Sequence, residues 1–507
     1  MRTESVLRVL NEGEMDGIHE LSLQILEKVG VRMTHRRALD LLKSGGCVVD
    51  ESKSRVRIPR NLSEEIIKKS TGRELKLYYR DRKRCVKMGE DVFFSLGPLQ
   101  FQDLLTGTVN DYVFDLERLE RRYATKEDVA KAGILADSLE NVKILGVPLV
   151  PHDPPAKTRG LHALAILAQN ASKPIAWIHV IDLEMARIAV EVEKILAGGM
   201  EELRKRPRHT ALLEAISPLS YDDRVVNLLF FYSELGLPAF SIGSMPQPGV
   251  TAPMSIPAAI AQNVAEILPG LYLTELANPD LVPAPAWCLG VCVKHCWALD
   301  VMLSDPRNLR HLYAAPETAL VGLAESQFFR EYYGVPVWGT RALRTDAKMP
   351  GIQAAIEKAL TATLAVLAGA TTLGPAGQVD SDQIFCFEQL VIDNEIAELL
   401  KRLKRGIPTE KIDFELQIVE RGLEKGNYLS DPLTLRRNRE MVYIPKLLDR
   451  QRYEQWAKAG KEDVLPRAKR EVERILKDLQ PSPQVDQATA RQIEKLLADA
   501  DRRIAGK

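Results

Sequence analysis

The chain has 507 residues, of which 45% are hydrophobic and 27% charged, and Lys plus Arg equal Asp plus Glu at 69 each. This length exceeds what one small core requires, and it indicates one large domain with additions or two to three domains. Because the net charge is zero, no global field draws the protein to nucleic acid or to an anionic membrane, and we expect neither as a partner.

The cysteine content and the N-terminal residues indicate a reducing cytoplasm. Six cysteines in 507 residues do not resemble a disulfide framework, and the N-terminus is charged where a signal peptide would be apolar. The longest uncharged stretch, residues 235–265, contains five prolines. Prolines at that density break a spanning helix, so we predict loops and strand ends there and not a membrane segment.

Residues 1–90 are predicted to form a mostly helical cap region. Apolar residues recur at helical spacing from Ile18 to Val29, and Gly30 stands where a helix C-cap belongs. Further predicted elements of this region are a helix over 34–46, a short strand over 56–59 and a helix around Ile66. We find no residues of evident chemistry in this part of the chain.

From residue 91 to about residue 400 the pattern changes to short apolar runs separated by segments long enough for a helix, such as 185–196, 225–235 and 256–267. The runs that predict strands are 92–96, 142–147, 174–180, 210–216, 238–242, 284–289, 335–339 and 370–373. Alternation of a buried strand with a helix is typical of parallel βα units. Eight such units over about 300 residues predict an α/β fold of the (β/α)₈ TIM-barrel type, with residues 91–400 as the catalytic domain.

Residues 401–507 are rich in Lys, Arg and Glu, with apolar residues such as Val472, Ile475 and Leu479 at helical spacing. The pattern predicts a charged helical C-terminal extension that lies over the barrel or over a partner subunit and ends in a helix over 488–503.

Several common catalytic signatures are absent from the sequence, namely a Walker A loop, a GxGxxG turn, a GxSxG elbow and an HExxH helix. The cluster Cys288, Cys292, His295 and Cys296 raises the question of a metal site. On a straight helix the outer two cysteines would lie about 12 Å apart, too far for one zinc ion with ~2.3 Å thiolate bonds. Small buried residues after a strand explain the cluster, and a bent segment would leave a site at residues 292–296 open.

Three of the five tryptophans, Trp177, Trp287 and Trp338, fall in or at the end of predicted strands of three different units. Side chains at the C-terminal ends of barrel strands face the usual active-site mouth. Indole faces at that position could hold a quaternary ammonium by cation–π attraction. Packing inside the barrel wall is the alternative for each of them. The aromatic pairs at 93–94 and 332–333 support the same interpretation more weakly.

Polar residues also gather at the predicted strand ends. Arg341, Arg344 and Lys348 follow one strand and could bind a substrate carboxylate. Basic residues at the head of a helix are often simply solvated, and that alternative remains open. The other polar candidates at these ends are His179, Glu214, Ser241, Ser244, Thr251 and Asp346.

The order and spacing of several stretches resemble the trimethylamine methyltransferase family over nearly the whole chain up to about residue 400. Those stretches are Ile18-His19-Glu20, Ile25 to Val31, Arg57-Ile58-Pro59, Gly249 to Ser255, Ala265-Glu266-Ile267-Leu268, Ala315-Pro316-Glu317, Tyr332 to Pro336 and Thr345-Asp346-Ala347-Lys348.

The resemblance implies a (β/α)₈ barrel that moves a methyl group from a methylated amine to the cobalt of a separate corrinoid protein. The family archetype carries pyrrolysine close to the Thr345–Lys348 turn, whereas this chain has the standard residues Ala342-Leu343-Arg344-Thr345. The chain therefore resembles the non-pyrrolysine branch, whose characterised members use quaternary amines such as glycine betaine. It departs from the family pattern at residues 257–259 and 353–355, which bears on the substrate more than on the fold.

The implied chemistry agrees with the residues present. Co(I) is a strong nucleophile, and a quaternary nitrogen leaves as a neutral amine that needs no proton, so the protein must hold the cation, orient one methyl group and exclude water. The resemblance thus implies a cognate corrinoid protein that carries cobalamin, a small methylated amine as substrate and no tightly bound metal. We also expect a homo-oligomer.

Two other classes of function stay open at this point. One is a metal-dependent lyase or hydrolase on the same barrel that uses His179, Glu214 and Cys292, which stoichiometric zinc in the purified protein would favour. The other is a non-catalytic protein that binds quaternary amines, which ligand affinity without methyl transfer would favour.

Overall fold

A computed structural model describes residues 7–70, 76–87, 93–96, 99–100, 110–179, 182–237, 240–278, 297–299, 301, 303–334, 338–339, 342–370, 372–381, 383–407, 409–410, 415–478, 485–504 and 506. For a few residues inside helices and strands it describes the backbone and not the side chain. Within these residues, no helix combines the length and the apolar character needed to cross a bilayer.

The described helices are numbered in chain order. They are α1 Glu12–Gln24, α2 Arg36–Ser44, α3 Arg60–Ser70, α4 Lys126–Ser138, α5 Arg159–Asn170, α6 Leu183–Ala197, α7 Met200–Lys205, α8 Asp223–Glu234, α9 Ile256–Ala277, α10 Pro316–Gln327, α11 Ile352–Leu367, α12 Phe387–Arg405, α13 Leu416–Lys425, α14 Pro432–Met441, α15 Tyr453–Lys458, α16 Val464–Asp478 and α17 Gln487–Ile504. Short π-helical turns, Ile25–Val29 and Phe328–Tyr332, continue α1 and α10, and two 3₁₀ turns lie at Glu51–Lys53 and Ala156–Thr158.

The described strands are numbered in the same way. They are β1 Val31–Met33, β2 Val48–Asp50, β3 Arg55–Arg57, β4 Lys76–Tyr78, β5 Cys85–Lys87, β6 Phe93–Leu96, β7 Leu99–Gln100, β8 Tyr112–Asp115, β9 Glu120–Tyr123, β10 Val142–Leu145, β11 Ile175–His179, β12 His209–Glu214, β13 Ser220–Tyr221, β14 Phe240–Ser244, β15 Trp297–Leu299, β16 Trp338–Gly339, β17 Thr372–Leu373, β18 Gln378–Val379 and β19 Ile384–Phe385.

Helix boundaries follow the local chemistry of the chain. Helix α4 begins at a capping box, in which the backbone N–H of Thr125 donates to the Asp128 carboxylate at 2.9 Å and the backbone N–H of Asp128 donates to Thr125 Oγ1 at 3.4 Å. Helix α6 begins after Asp182, whose carboxylate accepts from the backbone N–H of Met185 at 2.8 Å. It ends at Gly198, which has a positive φ of 79°.

The main sheet is parallel, and eight of its nine described strands follow one another in chain order, while the two-residue strand β7 pairs with β11 off this path. The hydrogen-bonded order is β15-β14-β12-β11-β10-β6-β17-β16, and each neighbouring pair on that path is parallel. The first strand of the set, β6, therefore pairs with the second strand on one side and with the last strand on the other. In the described part of the chain, no pairing joins β15 to β16. The expectation of parallel βα units is confirmed.

Seven of the eight predicted strands coincide with strands of this sheet to within three residues at each end. The exception is the predicted strand at 284–289, which lies outside the described residues. The strand that lies beside β14 in the sheet, where that one was expected, is β15.

Short strands lie between the helices of the N-terminal region; β3 coincides with the strand predicted at 56–59, and the other short strands were not predicted. Helices α1, α2 and α3 pack on α9, and the Tyr272 hydroxyl of α9 donates to the carbonyl of Gly45 at 2.5 Å. Strand β1 pairs in parallel with β13, in the connection that follows β12. The backbone N–H of Arg32 donates to the carbonyl of Leu219 in that connection at 2.7 Å. The N-terminal region therefore braces a loop at the carboxyl end of the main sheet.

Beyond residue 405 the described elements are helices, as the charge pattern predicted. Helix α16 packs on α4 and α12, with Val472 and Ile475 buried, whereas Leu479 lies outside the described residues. Helix α17 packs on α5 and α6. Its Asp501 accepts from Thr158 Oγ1 at 2.5 Å and lies 3.1 Å from Nε2 of His162.

Candidate functional site

Strained backbone concentrates at the carboxyl ends of the parallel strands. Nine of the described non-glycine residues have a positive φ, and six of these lie in the connections that lead from a parallel strand to the next helix. Left-handed backbone is unfavourable for residues with a Cβ atom, and such strain clusters at functional sites. The six are Leu119, Leu219, Leu309, Leu343, Asp380 and Ser381. The same end of the sheet is the usual position of active sites in parallel α/β proteins.

Glu266 lies on α9 and is fully buried. Its carboxylate accepts hydrogen bonds from the connection after β12 and from the end of β14. Its Oε1 accepts from the backbone N–H of Leu219 and from Nε2 of Gln262, both at 2.8 Å. Its Oε2 accepts from Oγ of Ser217 at 2.6 Å and from Oγ of Ser244, the last residue of β14. One carboxylate thus joins the connection after β12 to the end of β14.

Two neighbours complete the network around Glu266. Asn263 donates Nδ2 to the carbonyl of Ser244 at 2.9 Å and to its Oγ at 3.1 Å, while its buried Oδ1 has no hydrogen-bond partner among the described atoms. The hydroxyl of Tyr221 donates to the carbonyl of Glu266 at 2.5 Å. Burial raises the pKa of Tyr221 above its ordinary range, and the nearby Glu266 contributes in the same direction.

Thr251 and Gln247 shape the loop that follows β14. The carbonyl of Gln247 accepts from the backbone N–H groups of Val250, Thr251 and Ala252 at 2.8 to 2.9 Å, and its own N–H donates to Thr251 Oγ1 at 2.9 Å. The carbonyl of Thr251 accepts from Nε2 of Gln262 at 2.8 Å. The hydroxyl of Thr251 therefore acts within this loop, and Gln262 links the loop to Glu266.

A chain of side chains connects this loop to the loop after β16. Nε2 of Gln247 lies 3.3 Å from each ring nitrogen of His311, and the His311 ring lies 5.7 Å from the Tyr313 ring, centroid to centroid. The guanidinium carbon of Arg344 lies 4.3 Å from the centroid of the Tyr313 ring, within cation–π range. Arg344 itself is only 8% exposed.

Hydrogen bonds hold the turn from Thr345 to Lys348 on two sides. Oε2 of Glu357 accepts from Thr345 Oγ1 at 2.5 Å and from the backbone N–H of Asp346 at 2.9 Å. Oδ1 of Asp346 accepts from Ser381 Oγ at 2.5 Å. These bonds tie the connection after β16 to α11 and to the connection after β17.

Asp380 forms the second brace of this turn. Its Oδ1 lies 2.9 Å from Nζ of Lys348 and 2.9 Å from a guanidinium nitrogen of Arg310, so it joins the connections after β15 and β16. The charge of Lys348 is thus engaged in holding the loop. Behind the connection after β17, the buried pair of Lys358 and Asp393, at 2.7 Å, fixes Gly377, whose N–H donates to Asp393 at 2.7 Å.

The structure brings four of the ten predicted site residues into this braced end of the sheet, namely Thr251, Arg344, Asp346 and Lys348. Glu214 is the last residue of β12, opposite Gly243 of β14, and is half-buried. Trp177, His179 and Trp338 lie on β11 and β16, but their side chains lie outside the described atoms, as does that of Ser241 on β14. Trp287 and Arg341 lie wholly outside the described residues, as do Cys288, Cys292, His295 and Cys296.

Tyr332 and Tyr333 lie elsewhere. They end the helical segment that leads into β16, and so they lie on the amino side of that strand. The hydroxyl of Tyr333 lies 2.9 Å from Nδ1 of His19, and the ring of Tyr332 stacks on Phe328 at 5.4 Å. Both tyrosines pack against the N-terminal region and not at the carboxyl end of the sheet.

Sequence reasoning assigned no role to Glu266, Gln247, His311 or Tyr313. A signal for Glu266 was present, because Gln262, Asn263 and Glu266 interrupt the apolar run of α9 from Ile256 to Leu271, and the first and last of the three are one helical turn apart. Nothing local marks His311 or Tyr313. Among the described residues, no group of three or more His, Cys, Asp or Glu side chains could hold a metal ion.

Comparisons with known proteins bear on the identity of this site. The model of the family described as trimethylamine methyltransferase (MTTB) matches residues 1–505. Trimethylamine methyltransferase MttB of Methanosarcina barkeri is 26% identical over 511 residues, which cover 99% of this chain and 96% of that protein. Glycine betaine methyltransferase of Desulfitobacterium hafniense is 27% identical over 498 residues, which cover 98% of each chain. The crystal structure of the Methanosarcina barkeri monomethylamine methyltransferase (MtmB) is 12% identical, with a TM-score of 0.43 over 93% of this chain and 94% of that one.

Proposed function

Because the chain belongs to the trimethylamine methyltransferase family, we propose that it moves a methyl group from a quaternary or methylated amine to the Co(I) of a separate corrinoid protein. The observation that carries this proposal is the family match over residues 1–505. A full-length relative is named glycine betaine methyltransferase, and residues 342–345 of this chain are standard amino acids. We therefore propose a betaine-like substrate and not trimethylamine itself.

The architecture that goes with this function is a closed (β/α)₈ barrel. Its support is the strand order, because β6 pairs with both the second and the last strand of the parallel set. A parallel sheet whose first and last strands meet is the arrangement of a barrel. Around it we propose an N-terminal cap over residues 1–90, a catalytic domain over 91–400 and a helical extension over 401–507.

The reaction needs binding and orientation more than acid–base catalysis. The methyl carbon bonds to cobalt while its bond to nitrogen breaks, and the electron pair of that bond stays on nitrogen, which leaves as a neutral amine. We propose that Trp177, Trp287 and Trp338 surround the cation and that Arg341 or Arg344 binds a substrate carboxylate. The contact of Arg344 with Tyr313 supports this role, since it holds a guanidinium among the connections at the carboxyl end of the sheet.

The partners and compartment follow from the same proposal. The methyl acceptor is cobalamin carried by a cognate corrinoid protein, and the enzyme itself carries no tightly bound metal. The low cysteine content supports a reducing cytoplasm as the compartment. We propose a homo-oligomer as the assembled form.

One experiment tests the proposal. The purified chain is incubated with a reduced corrinoid protein and a panel of methylated amines, and the absorption spectrum of the cobalt is followed. We expect glycine betaine or a close analogue to convert the Co(I) spectrum to that of methylated cobalt, with the demethylated amine as the second product. Amine binding without any spectral change would favour a non-catalytic binding protein, and stoichiometric zinc with hydrolytic or lyase activity would favour the metal-dependent alternative.

A further inference from the structure

Glu266 is a buried carboxylate whose described partners are all neutral. Its four donors are two serine hydroxyls, one backbone N–H and one carboxamide. The N–H of Leu219 and Nε2 of Gln262 can only donate, and Ser244 Oγ already accepts from Asn263 at 3.1 Å, which directs its proton to Glu266. The Ser217 hydroxyl can donate as well, so all four neighbours can serve the carboxylate as hydrogen-bond donors.

The charge of Glu266 lies directly behind the carboxyl ends of two adjacent strands. Ser244 is the last residue of β14, and Ser217 and Leu219 follow Glu214, the last residue of β12. Strands β12 and β14 are hydrogen-bonded neighbours. Within the described part of the chain no cation pairs with Glu266. A buried anion that pairs with no cation among the described residues produces a potential that reaches well beyond contact distance, since the protein interior screens it weakly.

We propose that Glu266 is a positioning residue that favours a quaternary ammonium substrate by two means. Its negative charge lowers the electrostatic free energy of a cation held at the ends of β12 and β14. Its hydrogen bonds also hold Leu219, with a positive φ of 47°, in the connection that frames that position. The inference rests on the proposed function, because it assumes a cationic substrate at the carboxyl end of the sheet.

The test compares a ligand that carries a quaternary ammonium with an isostere that lacks this positive charge. Glycine betaine and its tert-butyl isostere, in which carbon replaces the nitrogen, have the same shape and carboxylate and differ in the positive charge. Dissociation constants for both are measured by titration calorimetry on the full chain. We expect Glu266→Gln to weaken betaine binding about tenfold and not to weaken binding of the isostere, whose only charge is its carboxylate.

The substitution is compatible with the local hydrogen bonds. The new amide oxygen can accept from Leu219 and Gln262, and the new NH₂ group can donate to serine hydroxyls that rotate to accept. A second variant, Gln262→Lys, cancels the charge without removing it, because Nε2 of Gln262 already lies 2.8 Å from Glu266. Gln262→Lys should also weaken binding of betaine and not of the isostere. If Glu266→Gln does not fold, this variant alone tests whether the charge of Glu266 favours betaine.

A matched control is Glu395→Gln on α12. Glu395 is also buried and accepts from neutral donors, the Tyr443 hydroxyl at 2.8 Å and the backbone N–H of Lys446 at 3.0 Å, but these belong to the C-terminal helical region. It should leave both dissociation constants unchanged. Equal weakening of betaine and isostere in the two test variants, or no weakening at all, would overturn the electrostatic role. A wild-type chain that binds neither ligand would instead refute the proposed function.

Discussion

The guanidinium carbon of Arg344 lies 4.3 Å from the centroid of the Tyr313 ring, although the two residues belong to connections that follow different strands. The ring face limits the orientation of the guanidinium plane, and burial keeps the group away from bulk solvent. A guanidinium held in this way is suited to bind a carboxylate in one orientation.

The first prediction concerns that role. Replacing Arg344 with Gln should lower kcat/KM for glycine betaine tenfold to a hundredfold, because a charge-assisted hydrogen bond is worth on the order of 1.5–3 kcal/mol. A choline-like substrate keeps the quaternary ammonium but has a hydroxyl in place of the carboxylate, and it should be nearly unaffected. Arg307→Gln is the control, since the side chain of Arg307 is 84% exposed and pairs with Asp305. Equal losses on both substrates would remove the anchoring role from Arg344.

The tryptophans provide the second prediction. Changing Trp177, Trp287 or Trp338 to Ala should each lower kcat/KM about thirtyfold, because a desolvated cation–π contact is worth about 2 kcal/mol. Steady-state kinetics with a fixed corrinoid partner would measure this. Trp456→Ala is the control, since its Nε1 donates at 2.9 Å to the carbonyl of Glu462 in the C-terminal helical region. If one of the three tryptophan variants has unaltered kinetics, that tryptophan packs in the barrel wall and does not contact the substrate.

Trimethylamine should be a poor substrate. The reason is the run of standard residues at 342–345, where the family archetype has pyrrolysine nearby. The measurement is the initial rate of cobalt methylation with trimethylamine against that with betaines at equal concentration. Demethylation of trimethylamine as fast as that of the best betaine would contradict the assignment to the non-pyrrolysine branch.

The free energy of unfolding should depend on pH through the buried side chain of Lys173. Burial lowers the pKa of Lys173 to about 7, and its Nζ donates to the carbonyls of Ala136 and Leu139 at 2.7 Å. Between about pH 7 and its unfolded value near 10.4, the unfolded chain binds one more proton than the native chain. The free energy of unfolding should therefore gain up to about 1.4 kcal/mol per pH unit from this group as pH rises.

Urea unfolding of the wild type and of Lys173→Met across this pH range measures that contribution. The difference between the two curves should widen in favour of the wild type as pH rises and level off near pH 10.4. The comparison cancels the other groups that titrate in this range, because both proteins contain them. Parallel curves would mean that Lys173 keeps an ordinary pKa.

Much of the architecture is determined by local patterns that the sequence displays directly. Alternating apolar runs predicted seven strands of the parallel sheet, and Gly30 marks the end of the first helical segment where helical spacing stops. The run at 297–299 was missed, because a strand of three residues lacks the length that distinguishes a pattern from chance. Short motifs also indicated the family, because their order and spacing can be read from the sequence without knowledge of the fold.

The site depended on contacts that no local pattern encodes. Glu266 accepts a hydrogen bond from Ser217, which lies 49 residues away in the sequence, and Gln247 contacts His311, which lies 64 residues away. Arg344 reaches Tyr313 only because the connections after β15 and β16 are folded against each other and braced by Asp380. Periodicity determines which face of an element is buried, since it acts over a few residues. Which polar groups meet at the strand ends is decided by the path of the connections, and therefore by the tertiary structure alone.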